Sequence, residues 1–188
     1  MIEDVQELIT QLSEEISDQI TGHARDSTEG GSVALARVDF EKMMQSFGEA
    51  LSFALQDFRE NTNQLLPSPR AVYSVASFLG AVAVSRYQEP VIDVLEDGQI
   101  SLLWRHETEG SLLAVFHGAD EFPYSARFRG RGNRCKGTCA IESDGINEQF
   151  GFWLERFFSK GGYSWLPRSS VSGVEDHESS ATWSSVIH

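Results

Sequence analysis

Cysteine, proline and basic side chains are all scarce in this chain of 188 residues. Two cysteines, Cys135 and Cys139, are too few for a disulfide scaffold and are typical of a reducing compartment. No apolar run reaches the roughly 20 residues that a membrane-spanning helix needs. The acidic start also lacks the basic and apolar regions of a signal peptide. These absences predict a cytoplasmic protein that makes no membrane contact.

Familiar catalytic motifs are also missing. The chain has no G-x-S-x-G elbow, no Gly-Lys-Ser/Thr phosphate loop and no H-E-x-x-H pattern. We therefore predict no catalytic residue, no cofactor and no metal site. A small enzyme built from His106 or His117 with nearby carboxylates stays open as an alternative, because a histidine beside a carboxylate can act as a general acid or base.

What the chain has in excess is negative charge, with 28 acidic against 15 basic residues and a formal net charge of −13. Residues 1–60 hold 13 acidic and 4 basic side chains, a net of −9. Such a surface repels phosphate backbones and attracts basic partners. We therefore predict a non-enzymatic protein that binds a protein partner. A partner with a basic surface would fit the acidic charge best. Concrete forms are an inhibitor, an antitoxin-like or immunity-like protein, or a phage counter-defence protein.

Residues 1–61 are predicted to form an acidic helical region with a linker at about 22–32. A first helix over residues 2–21 carries an apolar stripe, and acidic residues occupy its other faces. The stripe consists of Ile2, Val5, Ile9, Leu12 and Ile16. It either packs on the chain's own domain or forms the seam of a homodimer or partner complex. A second helix, about 38–61, has the wide apolar face that is typical of a core helix.

Residues 70–160 are predicted to form a meander domain. A small apolar helix near 70–84 and an amphipathic helix near 146–158 enclose five apolar segments, which are joined by short turns containing Gly or Asp. Short connections pair neighbouring strands antiparallel. The predicted strands are 91–96, 99–106, 111–117, 122–129 and 134–141. The fold class is thus α+β, with N-terminal helices followed by a mostly antiparallel sheet against which the other two helices pack.

The strongest hairpin signal in this domain is Asp97-Gly98, because such a turn needs positive φ. It belongs to the pattern P-x-I-x-V-x-x-D-G-x-I-x-L-x-W. The pattern is carried by Pro90, Ile92, Val94, Asp97, Gly98, Ile100, Leu102 and Trp104. The closing part would be Tyr124, Phe128, Gly137 and the helix after Ile146. On these residues, 70–158 resembles a group of small uncharacterised bacterial proteins with a β-meander, and the resemblance implies a fold but no activity.

A basic hairpin interrupts the acidic chain between residues 127 and 136. Its cations are Arg127, Arg129, Arg131, Arg134 and Lys136. If strands four and five bury their apolar faces on the same side, the strand cations share the solvent face and Arg131 lies at the turn. Three interpretations stay open: a solvated face whose charges pair with nearby acids, docking against an acidic surface such as the N-terminal half of this protein or of a second copy, and an RNA- or phosphate-binding module.

Two further segments complete the prediction. Cys135 and Cys139 are about 13 Å apart if four strand residues separate them, which is too far for one zinc ion, so we expect two small core residues. The alternative is a turn at Gly137 that brings both thiols to one zinc ion, with His106 and His117 as the further ligands. Residues 163–188 contain eight serines and no apolar period. This tail is predicted either to be disordered or to pack back on the domain or on a partner.

Overall fold

The computed structural model describes residues 7, 9–18, 30–60, 63–106, 110–128, 134–141 and 146–158. Helix α1 is described at residue 7 and over residues 9–18. The later elements are α2 (Gly30–Glu60), α3 (Pro69–Val84), β1 (Val91–Val94), β2 (Ile100–His106), β3 (Gly110–Phe116), β4 (Glu121–Phe128), β5 (Arg134–Ala140) and α4 (Glu148–Phe158). Among the described helices, none combines the length and the apolar character that crossing a membrane requires.

The five strands form one antiparallel sheet in the order β1-β2-β3-β4-β5, which confirms the predicted α+β meander. The Asp97-Gly98 turn joins β1 to β2, and Gly98 adopts a φ of 77°. The Leu95 amide N–H donates to the Gln99 carbonyl at 2.8 Å, and the Gly98 N–H donates back to Leu95 at 2.9 Å. Glycine is required here, since a β-carbon at residue 98 would also lie 2.8 Å from the Leu66 carbonyl oxygen.

The two faces of the sheet have different environments. The inner face, formed by even-numbered residues of β1 to β4 and odd-numbered residues of β5, carries most of the buried side chains. Phe78 of α3 lies at its centre, with ring centroids of four aromatic residues 5.3 to 6.4 Å away. These are Trp104, Phe116, Phe122 and Phe150 of α4. The outer face consists of the alternate residues and is more exposed.

Trp104 is the largest side chain of this core and is 1% exposed. Its indole N–H donates a hydrogen bond to the Gln88 carbonyl oxygen at 2.8 Å. A buried tryptophan needs such a partner, because an unsatisfied indole N–H would forfeit its hydrogen bond to water. Gln88 in turn donates its backbone N–H to Phe158 at the end of α4, at 2.7 Å. One residue therefore links β2 to α4, and Trp104 is a structural anchor.

Helix α2 begins at Gly30, whereas the sequence pattern predicted a start near residue 38. The prediction was wrong because it gave the glycine pair too much weight. Glycine is tolerated at a helix start. The segment that follows contains Ala34, Leu35 and Ala36, and both alanine and leucine are strong helix formers. Residues 30–32 of the predicted linker therefore belong to α2. The rest of that linker, and the predicted tail at 163–188, lie outside the described residues.

Helix α1 packs on α2 and α3. A β-carbon at Gly48 of α2 would lie 3.7 Å from Ile9, and one at Gly80 of α3 would lie 2.7 Å from Ile16 and 3.8 Å from Phe40. Because Ile9 is near Gly48 and Ile16 is near Phe40, α1 runs antiparallel to α2. Ile9, Leu12 and Ile16 are 7%, 6% and 4% exposed, and they form part of the chain's own core.

The predicted homodimer or partner seam uses these same side chains, together with Ile2 and Val5, which lie outside the described residues. A seam through Ile9, Leu12 and Ile16 would require α1 to leave α2 and α3. The seam therefore stays a prediction, and it competes with an intramolecular packing that already uses three of its five members.

Candidate functional site

An open groove of about 670 Å³ lies between α1 and α2. Its apolar part includes Ile9 and Met44, which belong to the buried core, and Phe53. Thr10, Ser13, Gln45, Ser52 and Gln56 add hydroxyl and amide groups, and Gly48 adds backbone. The remaining lining residues are Glu14, Glu41 and Glu49. The groove is therefore acidic and partly apolar, and no lysine or arginine lines it within the described residues.

The groove follows from the spacing of residues along the two helices. On α2, residues 41, 45, 48, 52 and 56 recur every three or four positions and share one face. On α1, residues 9, 10, 13 and 14 lie along the side of the buried stripe. Several of these side chains are small, so they leave an open groove between the two helices above their line of contact.

Two of the groove carboxylates contact polar side chains of α2. Glu41 accepts a hydrogen bond from the Arg37 guanidinium at 3.0 Å, and the two side chains are 56% and 58% exposed. Glu49 accepts one from the Gln45 amide at 3.2 Å. The exposed Arg37–Glu41 ion pair contributes about 0.2–1 kcal/mol, so a cationic partner can replace Arg37 at small cost.

Phe53 is the most exposed large apolar side chain in the described part of the chain, at 68%. It lines the groove beside the carboxylates. Burying a phenylalanine side chain that was fully exposed contributes about 1.5–3 kcal/mol. A partner that covered Phe53 would gain part of this free energy while its cations approached Glu14 and Glu49.

The structure describes three of the five cations of the basic hairpin. It places all three on the face that the strand alternation predicted. Arg127 of β4 lies directly opposite Arg134 of β5, and Lys136 lies opposite Ser125. All three cations are exposed on the outer face. Arg129 and Arg131 lie outside the described residues.

The sequence reasoning missed one cation of this surface. Arg105 of β2 pairs with Ser111 of β3, which pairs with Arg127. Arg105 therefore belongs to the same cross-strand row as the hairpin arginines. Its place in the row follows from the registers of the strand pairs, which the alternation within a single strand does not specify.

The two histidines considered for catalysis lie at opposite ends of the β2–β3 hairpin. His106 pairs with Gly110 at one end and its ring is 6.5 Å from that of Phe158. His117 follows β3, whose last residue pairs with the first residue of β2. Asp120, near His117 in sequence, makes an ion pair with Arg70. The described residues contain no group of three His, Cys, Asp or Glu side chains that could hold a metal ion.

The cysteines lie on the inner face of β5, where Cys139 is buried and Cys135 is partly buried. Both belong to the described residues, and neither forms a disulfide. Gly137 separates them and pairs with Tyr124, whose ring occupies the space that a β-carbon at residue 137 would need. Burial raises the pKa of Tyr124 above its usual 10.0, and the two nearby thiols add to the shift while the Trp153 indole opposes it.

Comparison with models of protein families, with curated proteins and with solved structures finds no match to this chain. The resemblance of residues 70–158 to small bacterial meander proteins therefore stays a prediction. The groove and the charged faces carry the chemistry on which a function can rest.

Proposed function

We propose that this protein binds another protein through the acidic groove between α1 and α2, and that the partner presents a basic amphipathic segment. The observation that carries the proposal is the composition of the groove. Three carboxylates line it, no lysine or arginine is among its described lining residues although Arg37 pairs with Glu41, and Phe53 is 68% exposed beside the carboxylates. Carboxylates and an exposed aromatic ring in one concave site suit a segment with cations on one side and apolar groups on the other.

Such binding has a known physical form. An amphipathic helix can lay its apolar face into a groove between two helices. Complementary charge then accelerates encounter and selects the partner, while a buried aromatic residue contributes much of the affinity. In this protein Phe53 would be the anchor, and Glu14, Glu41 and Glu49 would select for cations.

One concrete form of the proposal is an inhibitor that covers the basic surface of a nucleic-acid enzyme, as an antitoxin-like, immunity-like or phage counter-defence protein would. The net charge of −13 supports this form, because an acidic surface competes directly with a phosphate backbone for the same cations. Cysteines that form no disulfide suit a reducing cytoplasm, where we place the interaction.

The test is affinity capture from the cells that produce this protein, with two matched variants. Phe53→Ser removes the aromatic ring from the groove. Phe152→Ser removes an equally large exposed ring from α4, where Phe152 is 52% exposed. We expect wild type and Phe152→Ser to retain the same protein in a stoichiometric amount, and Phe53→Ser to lose it. Capture that is equal for both variants, or the absence of a stoichiometric partner, would contradict the proposal.

A further inference from the structure

The outer face of the sheet carries a row of cations that extends across four strands. Arg105, Ser111, Arg127 and Arg134 are successive cross-strand partners. Neighbouring strands are about 4.8 Å apart, so the three arginines fall within about 15 Å of one another. Lys136 lies two residues further along β5 on the same face. We call these four cations the arginine row.

The arginine row is exposed and is not neutralised by the described chain. All four cations are exposed, and the ion pairs among the described residues are formed by other basic side chains. Like charges directly opposite on neighbouring strands are destabilising. Arg127 and Arg134 have this arrangement. An anionic partner would remove the repulsion and gain up to four charge-assisted contacts.

An aliphatic row lies beside the cations. This second row is displaced from the arginines by two residues along each strand, about 7 Å. It consists of Val91, Leu103 and Leu113, which are successive cross-strand partners on the same face. Val91 is 61% exposed, and Leu103 and Leu113 are partly buried. The ring contacts place α3 and α4 against the opposite face. The outer face therefore offers parallel cationic and aliphatic rows.

The outer face offers no aromatic ring within the described residues of β1 to β5. Phe122 and Tyr124 point to the inner face and are 1% and 3% exposed. Proteins that bind single-stranded nucleic acid stack bases on exposed aromatic rings. The described strands thus provide cations without a surface on which bases could stack.

We propose that the outer face is a docking surface for an acidic, amphipathic segment of a protein, whose carboxylates contact the arginine row while its aliphatic side chains cover Val91, Leu103 and Leu113. The charge complementarity and the aliphatic row together favour this occupant over RNA. The surface has the opposite sign to the α1–α2 groove, and the inference does not depend on the function proposed for that groove.

The test uses fluorescence anisotropy with the full-length protein and three labelled probes. The first is a helix-forming peptide with Glu along one face and Leu along the other. The second is the same peptide with Gln in place of Glu. The third is a uridine-rich single-stranded RNA of matched net charge. We expect the wild-type protein to bind the Glu peptide, and to bind the Gln peptide and the RNA at least about tenfold more weakly, since charge complementarity sets the affinity.

Two charge reversals locate the binding. Arg127→Glu should weaken binding of the Glu peptide by roughly tenfold or more. Arg59→Glu makes the same change in net charge on exposed Arg59 of α2, and it should have less than about a twofold effect because screening removes most interactions between distant charges. Arg127→Glu should also preserve the fold, since it replaces a like-charge pair with a pair of opposite charges.

Three results would overturn the inference. They are tighter binding of the RNA than of the Glu peptide, equal effects of Arg127→Glu and Arg59→Glu, and no measurable binding of the Glu peptide. Phe53→Ser should leave peptide binding unchanged. The outer face and the groove can therefore fail independently.

Discussion

Ile16 of α1 rests directly on Gly80 of α3, with its Cγ2 atom 2.7 Å from the position that a β-carbon would take there. An extra methyl group in a packed core costs about 1–3 kcal/mol, while alanine in place of a helical glycine contributes about 1 kcal/mol. We expect Gly80→Ala to lower the free energy of unfolding by about 1 kcal/mol. Urea unfolding of the two proteins would measure this difference in the free energy of unfolding.

A double-mutant cycle shows whether Ile16 is the cause. In an Ile16→Ala background the obstruction is gone, so Gly80→Ala should become stabilising and the two changes should couple. Gly48→Ala is the control, because a β-carbon there would make an ordinary 3.7 Å contact with Ile9. A stabilising Gly80→Ala in both backgrounds would mean that α1 does not pack on α3, and that its stripe is available for a homodimer.

The contact between Tyr124 and Gly137 gives a second prediction. A β-carbon at residue 137 would lie 2.6 Å from Cε1 of the Tyr124 ring, and the ring is held between β5 and Phe150. Gly137→Ala should therefore cost about 1–3 kcal/mol of stability. Lys136→Ala, on the exposed face of the same strand, should change stability by less than about 0.5 kcal/mol. Equal effects in thermal unfolding would contradict this packing.

Removal of the Tyr124 hydroxyl should not weaken the protein at neutral pH. The hydroxyl is buried, and no described residue gives it a hydrogen bond of good geometry. Replacing it with hydrogen removes a group whose desolvation is poorly compensated. We therefore expect Tyr124→Phe to equal or exceed wild type in urea unfolding. A loss of more than about 1 kcal/mol would indicate a hydrogen bond that contributes to folding.

The same variant should change the alkaline limit of stability. Burial raises the pKa of Tyr124 in the folded state above 10.0, so in the unfolded chain this tyrosine ionises at lower pH. Stability is thus fully present below about pH 10 and falls as the pH rises toward the folded pKa. Burial also raises the pKa of Tyr87. Tyr124→Phe should therefore reduce the alkaline loss without abolishing it, as unfolding measured against pH would show.

Local signals were sufficient to predict most of the sheet and its helices. Asp97-Gly98 indicates a hairpin because Gly98 readily adopts the positive φ that the turn requires. The alternation of β4 predicted that Arg127 would be exposed, and the structure shows it opposite Arg134. Such features depend on residues that are close in sequence, so the chain reveals them directly.

Features assembled from distant segments could not be predicted in the same way. Arg105 joins the arginine row only through the registers of three strand pairs. Glu14 and Glu49 meet in one groove because α1 folds back on α2, and no local pattern specifies that arrangement. The stripe of α1 predicted an apolar contact, but Ile16 alone could not show that its contact would be Gly80 of the same chain.

The most direct test of partner binding through the groove compares two neighbouring glutamates of α1. Glu14 and Glu15 are both exposed, but only Glu14 lines the groove. Titration calorimetry with the captured partner would measure the Kd for wild type, Glu14→Lys and Glu15→Lys, which differ from wild type by the same net charge. We predict that Glu14→Lys raises the Kd by roughly tenfold or more and that Glu15→Lys changes it by less than about twofold. Equal effects of the two substitutions would contradict binding in the groove.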